Sequence, residues 1–186
     1  MKTRFKKLLY STNVEGMDKL IAHLEIDGFF DAPASSKYHL AEPNGLLKHS
    51  LNVYDAMEVS TREFCSPHYT TKAPFTHDDV IIVSLLHDVG KMGFRGKAAY
   101  VDKVLKSGKS AADPYEINKE LIKIPHQDLS LLICSQYIEL TEQQMVAIKF
   151  HNGLYSPDGR DISGKETPLM IALHFADMWA SRVMEG

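Results

Sequence analysis

Apolar residues recur along most of this chain at the three-to-four-residue spacing that places them on one face of a helix. A short basic helical segment runs from Lys2 to Leu9. After Asn13, the i, i+3, i+4, i+7 series Met17, Leu20, Ile21 and Leu24 predicts a second helix, which Asp27-Gly28 closes. His23 lies off that face and reads as a surface residue. Residues 28–44 carry Pro33, Pro43 and several small residues, and read as loop. His39 falls there, as a solvent-exposed loop histidine on its own terms. A long helix is expected from Gly45 to about Phe64. Its apolar arc includes Leu46, Leu47, Leu51, Val53, Tyr54 and Met57, and His49 sits at the border of that arc. A half-buried histidine is either a hydrogen-bonded core residue or a ligand. Residues 65–75 read as a loop, with His68 and His77 at the surface and at a helix start.

The nearly unbroken apolar run VIIVSLL, from Val80 to Leu86, delivers His87-Asp88 and then Gly90-Lys91. Thr76 three residues before Asp79 forms a capping-box pattern, and Gly90 stands where a terminal glycine would end a helix begun near His77. On a strand His87 and Asp88 would point to opposite faces. On a helix they lie about 100° apart and can converge on one point. Lys91 reads either as a cation favoured at a helix C-terminus or as a functional one.

Residues 92–124 are the least regular part, rich in Gly and Lys, and read as a solvated excursion or as a lid whose cations meet an anionic substrate. Arg95 and Lys97 are nearest the His-Asp end. Pro125-His126 leads into a helix over 127–138, and Thr141 with Gln144 forms a second capping box for a helix ending at His151-Asn152-Gly153. Thr167-Pro168 starts the last helix. On it Asp177 shares a face with Met170, Leu173, Ala180 and Met184. A carboxylate so placed is costly unless it is paired with a buried cation or binds a metal. His174 and Trp179 are assigned to packing and to the helix border. The pattern predicts an all-α single domain of roughly seven helices.

At 186 residues, with 44% apolar and 24% charged residues, the composition is that of an ordinary globular domain. A formal charge of −3 argues against an extended nucleic-acid surface, though not against local binding of a small anion. Cys65 and Cys134 form no metal-knuckle pattern and read as free thiols. With no apolar run of membrane-spanning length and no secretory leader, a cytoplasmic protein without membrane contact is expected.

His49, His87, Asp88, His126, His151 and Asp177 thus place six candidate ligands near helix ends or on buried faces of several different elements. Nitrogen and oxygen donors without thiolate favour Mn, Fe, Co, Ni or Mg over a structural zinc site. The stretches KYHLAEPNGLLKHSLNV, LLHDVGK and LHFADMWASRV resemble the HD superfamily of metal-dependent phosphohydrolases, over about residues 37–184, with residues 1–27 as an N-terminal helical extension. The resemblance implies a single HD domain in which His49, His87, Asp88 and Asp177 hold one metal. It also implies that His126 and His151 add a second metal, bridged by Asp88. Two such ions, about 3.5 to 4 Å apart, lower the pKa of water and clamp a phosphoryl oxygen. Asp88 and Lys91 become the catalytic residues, with Lys91 neutralising phosphoryl charge. His39, Lys91, Arg95, Lys97 and Asn152 become substrate contacts. The expected reaction is hydrolysis of a phosphate mono- or diester, with a nucleotide as the small phosphorylated substrate. The same ligand set also serves di-iron oxygenases related to myo-inositol oxygenase, and a nucleotide-sensing module without turnover is a third expectation.

Overall fold

A computed structural model describes the whole chain except residues 67, 69–73 and 105–109. Part of the expected loop over 65–75, and Lys106 and Lys109 of the expected lid, therefore lie outside the described residues.

The described residues form eight α-helices and two small antiparallel sheets. The helices are α1 Lys2–Ser11, α2 Met17–Ile26, α3 Gly45–Phe64, α4 His77–Leu86, α5 His126–Cys134, α6 Glu142–Phe150, α7 Gly159–Ile162 and α8 Pro168–Trp179. α8 continues as a π turn over Ala180–Met184. The all-α class holds, and the short α7 is the helix that periodicity did not predict, since four residues cannot display a period.

α4 is the axis of the fold. Every residue from Val80 to Leu86 is buried, with α1, α3, α6 and α8 packed around it. A helix apolar on all sides is stable only when enclosed in this way. Its start is fixed by the capping box: the Asp79 N–H donates to Thr76 Oγ1 at 3.1 Å, and the Thr76 N–H donates to Asp79 Oδ2 at 2.7 Å. The equivalent box at Thr141 and Gln144 begins α6, and the Gln144 amide donates to Asp79 Oδ1 at 2.8 Å. Two helix starts far apart in sequence are thereby locked together.

The N-terminal helical extension packs into the core, with Phe5 and Leu9 fully buried in the same cluster that runs on to Ala180. Two expectations change. The α-helix stops at Leu86, and a 3-10 turn over Val89–Met92 carries the chain through Gly90. Gly90 therefore serves close approach and not helix termination: a Cβ there would lie 2.2 Å from the His126 carbonyl oxygen. His23 is half-buried, with its ring 5.1 Å from that of Tyr137.

The irregular segment after Lys91 is a pair of hairpins. β1 Gly93–Phe94 pairs with β2 Lys97–Ala98, and β3 Tyr100–Val104 pairs with β4 Ser110–Ile117. Tyr100 opposes Ile117, and the register shifts between Asp102 and Val104. The base of this arm is pinned where the Asn118 N–H donates to the Ala99 carbonyl at 2.9 Å and its side-chain amide donates to the Ala98 carbonyl at 2.8 Å.

Candidate metal centre

Helical packing brings His49 from α3, His87 and Asp88 from the end of α4, His126 from the start of α5, His151 from the end of α6 and Asp177 from α8 to one point. His49, His87, Asp88 and His151 are buried, whereas Asp177 and His126 are half-buried and form the mouth.

The two oxygens of Asp88 divide the histidines between them. Oδ2 lies 3.4 Å from Nε2 of His49 and 3.4 Å from Nε2 of His87. Oδ1 lies 3.3 Å from Nε2 of His126 and 3.5 Å from Nε2 of His151. Asp177 Oδ1 adds a contact to His49 Nε2 at 3.2 Å. The ligand atoms of His49, His87 and Asp88 fall within 4.8 Å of one another, and so do those of Asp88, His126 and His151.

Backbone carbonyls settle two tautomers. His87 Nδ1 is 2.9 Å from the Ser84 carbonyl and His151 Nδ1 is 2.8 Å from the Ile148 carbonyl. A carbonyl only accepts, so both Nδ1 atoms carry a proton and each ring turns its Nε2 inward. His49 Nδ1 meets the Glu185 carboxylate, which orients that ring so that its Nε2 also faces inward. His49 Nε2, His87 Nε2 and both Asp88 oxygens are buried without a hydrogen-bond partner. Lys91 Nζ contacts Asp88 Oδ2 at 2.6 Å as an ion pair, outside hydrogen-bond alignment. Buried acceptors left unpaired are expensive, and several of them pointing at one another need a cation. The buried His/Asp cluster can hold a metal ion.

The protonation states of the metal-free cluster follow the same logic. Burial opposes charge on His49, but its contacts with Asp177, Asp88 and Glu185 outweigh it and hold the imidazolium well above the ordinary histidine range. Burial alone would raise Asp88, and the charge of Lys91 first of all, with contacts from the surrounding histidines, more than reverses this, holding it well below the usual carboxylate range. Burial lowers His87, and it lowers His126 to about 3, so both rings are neutral. Burial works against a charge on Lys91 too, yet Asp88 and Asp177 keep that ammonium firmly protonated.

Family models, curated proteins and solved structures give no match to this chain.

The structure brings together the six proposed ligands and Lys91. Asn152 stands beside them, its amide nitrogen 3.0 Å from His151 Nε2 and 3.3 Å from His126 Nε2. His39 is not a solvent-exposed loop residue: it is half-buried, with Nδ1 2.5 Å from Glu185 Oε2, and it meets the centre through that carboxylate. Arg95 stands in the β1–β2 turn and Lys97 at the start of β2, and neither lines the cleft beside the centre. Arg95 is exposed at φ +53°, over the Phe94 ring, and Lys97 donates to the Glu120 carbonyl at 3.3 Å. Among the described residues, the lysines that line the open cleft beside the centre are Lys37, Lys91, Lys103, Lys119 and Lys123. Proximity in sequence pointed to Arg95 and Lys97, which are not among the residues lining this cleft.

Four further residues support the site. The side chain of Glu185 is nearly fully buried and receives His39, His49 and the Asn52 amide, the last at 2.9 Å. Burial tends to raise its carboxyl, and these partners together lower it to about 2. His174, assigned from sequence to packing, has Nδ1 2.6 Å from the His151 carbonyl. Its ring lies so close to Gly153, at φ +53°, that a Cβ there would be 2.8 Å from it. Ser130 accepts from the Gly90 N–H at 2.9 Å and donates to the His126 carbonyl at 2.9 Å, which joins the two ligand-bearing turns. Tyr100 lines the cleft near Lys91 and Asp88, and burial raises its phenol while Lys91 partly opposes the shift. In sequence only the spacing of His174 from Asp177 hinted at any of this, because a C-terminal glutamate, a helical serine and a strand tyrosine carry no local signal of a site.

Proposed function

We propose that this chain is a metal-dependent phosphohydrolase of the HD type, cleaving a phosphate mono- or diester of a nucleotide. The observation that carries the reading is the division of Asp88, with one oxygen toward His49 and His87 and the other toward His126 and His151. A carboxylate so placed suits two neighbouring cations. Bound divalent ions supply Lewis acidity, which lowers the pKa of water and neutralises phosphoryl charge. The protein supplies the rest. His49, His87, Asp88 and Asp177 would hold one ion, and Asp88, His126 and His151 the other. Lys91 holds a permanent positive charge beside Asp88, where a phosphoryl oxygen would gain negative charge. The Asn152 amide offers that oxygen a donor from the mouth. Among the described residues no helix is long and apolar enough to cross a membrane.

The test is phosphate release from a panel of phosphomonoesters, phosphodiesters and nucleotides, with Mn, Co, Ni, Mg or Fe added. Wild-type protein is expected to turn over at least one substrate in a metal-dependent way. Asp88→Asn, nearly isosteric, is expected to abolish this while the helical circular dichroism stays. Undiminished turnover by the variant would overturn the assignment, and substrate-dependent oxygen uptake with iron in place of phosphate release would replace it with the oxygenase reading.

A further inference from the structure

Beside the metal centre opens a cleft of about 960 Å³, within the range of sites that bury a small-molecule ligand. Gly90, Lys91 and His126 belong to its wall on the helical side, and the β3–β4 arm with the segment that follows it forms the other. This space far exceeds what a single phosphate needs. Its chemistry is of two kinds. Lys37, Lys119 and Lys123 line it, and among the described residues none of them has a carboxylate within ion-pair reach, Lys37 having only the Tyr38 ring at 5.1 Å. The acids of the lining offset them only in part. Asp113 is taken up by Lys103 at 3.0 Å, which leaves Glu116 as one carboxylate against three lysines. Along the same wall Ile117, Ile122 and Ile124 each expose more than a third of their surface.

The scissile phosphate is already matched by Lys91 and the ligand cluster. Uncompensated lysines farther along the cleft are therefore surplus to a substrate with one phosphate, and they repel one another while the cleft is empty of anion. An exposed isoleucine wall beside them offers a flat ring system the contact that water does not.

We propose that the cleft takes an oligophosphate chain, with Lys37, Lys119 and Lys123 binding the phosphates beyond the scissile one and the isoleucine wall carrying a nucleobase. The substrate class is thus a nucleoside di- or triphosphate in preference to a monophosphate. The inference rests on the phosphohydrolase reading for the fate of the ligand, but not for its binding.

The experiment exploits that difference. Binding of AMP, ATP and inorganic tripolyphosphate to the wild-type chain is measured calorimetrically in EDTA, where metal-dependent turnover is stopped. ATP is expected to bind at least tenfold tighter than AMP, which corresponds to about 1.4 kcal/mol. That advantage is expected to shrink as salt is raised, as for contacts between exposed charges. The exposed pair Lys119→Ala/Lys123→Ala is expected to remove most of the advantage and to leave AMP binding within twofold. Tripolyphosphate is expected to bind more tightly than AMP but more weakly than ATP, the difference being the share of the isoleucine wall; tripolyphosphate binding at ATP strength would overturn the nucleobase part of the proposal. AMP and ATP binding equally, neither binding, or a double variant that weakens AMP as much as ATP would overturn the proposal. Tight ATP binding without phosphate release under any metal would leave the cleft assignment standing and remove the hydrolase reading instead.

Discussion

Both carboxylate oxygens of Glu185 lie 3.1 Å from Nδ1 of His49, across 136 residues of chain. Nε2 of that imidazole faces Asp88 and Asp177, so the glutamate sets the orientation of a ligand without touching the ligand's target. Carboxylates behind metal-bound histidines raise the basicity of the ring and hold its tautomer.

Glu185→Gln keeps the side chain's shape and its hydrogen bond to Asn52 in one amide orientation, but removes the charge. Metal affinity is expected to fall by about 10- to 100-fold, the usual cost of losing such a partner. Titration of the metal-free protein with Mn²⁺ checks this. Unchanged affinity would show that packing alone orients His49.

Gly90 and His126 provide a second test. A methyl group at position 90 would meet the His126 carbonyl at 2.2 Å and the Ser130 nitrogen at 2.9 Å, both of them backbone atoms that cannot rotate away. Gly90→Ala is expected to push α5 outward and to destabilise the chain by about 1–3 kcal/mol or more, as overpacking does. A lowered thermal midpoint together with weakened metal binding checks it, because His126 sits on the displaced turn. A variant that melts as wild type would mean that α5 shifts freely.

The pH dependence of metal binding follows from the raised pKa of His49. In the metal-free chain its folded value lies well above the ordinary 6.5, so this proton contributes stability that is complete below pH 6.5 and is lost as pH rises through the folded value. A metal needs Nε2 bare and must displace that proton. His87 and His126, whose values are lowered, are already neutral there and release nothing. Binding is therefore expected to release about one proton between pH 6.5 and the His49 value, and the thermal shift on adding Mn²⁺ is expected to grow from pH 6 to pH 8. Calorimetry in buffers of different ionisation enthalpy counts the proton. A thermal shift that shrinks with rising pH would contradict the assignment.

Much of this was legible in one dimension because it is encoded by neighbours. Capping boxes at Thr76 and Thr141 act over three residues, and apolar stripes such as Met17, Leu20, Ile21 and Leu24 act over one or two turns. Asp177 betrayed itself by standing among apolar residues on α8, and His87-Asp88 by ending a segment that had to be buried.

What the sequence by itself determined, then, is seven of the eight described helices, the capped starts of α4, α6 and α8, and that His49, His87-Asp88 and Asp177 lie on or beside faces turned to the core. The tertiary structure alone decided how the oxygens of Asp88 are shared, that Glu185 backs His49, that Gly90 admits α5, and that Lys37, Lys119 and Lys123 line the cleft whereas Arg95 and Lys97 do not. The reason is range: hydrogen bonds within a helix join residues about four apart, whereas these relationships join residues tens to more than a hundred apart and exist only once the packing of α3, α4, α5, α6 and α8 has fixed where each side chain ends.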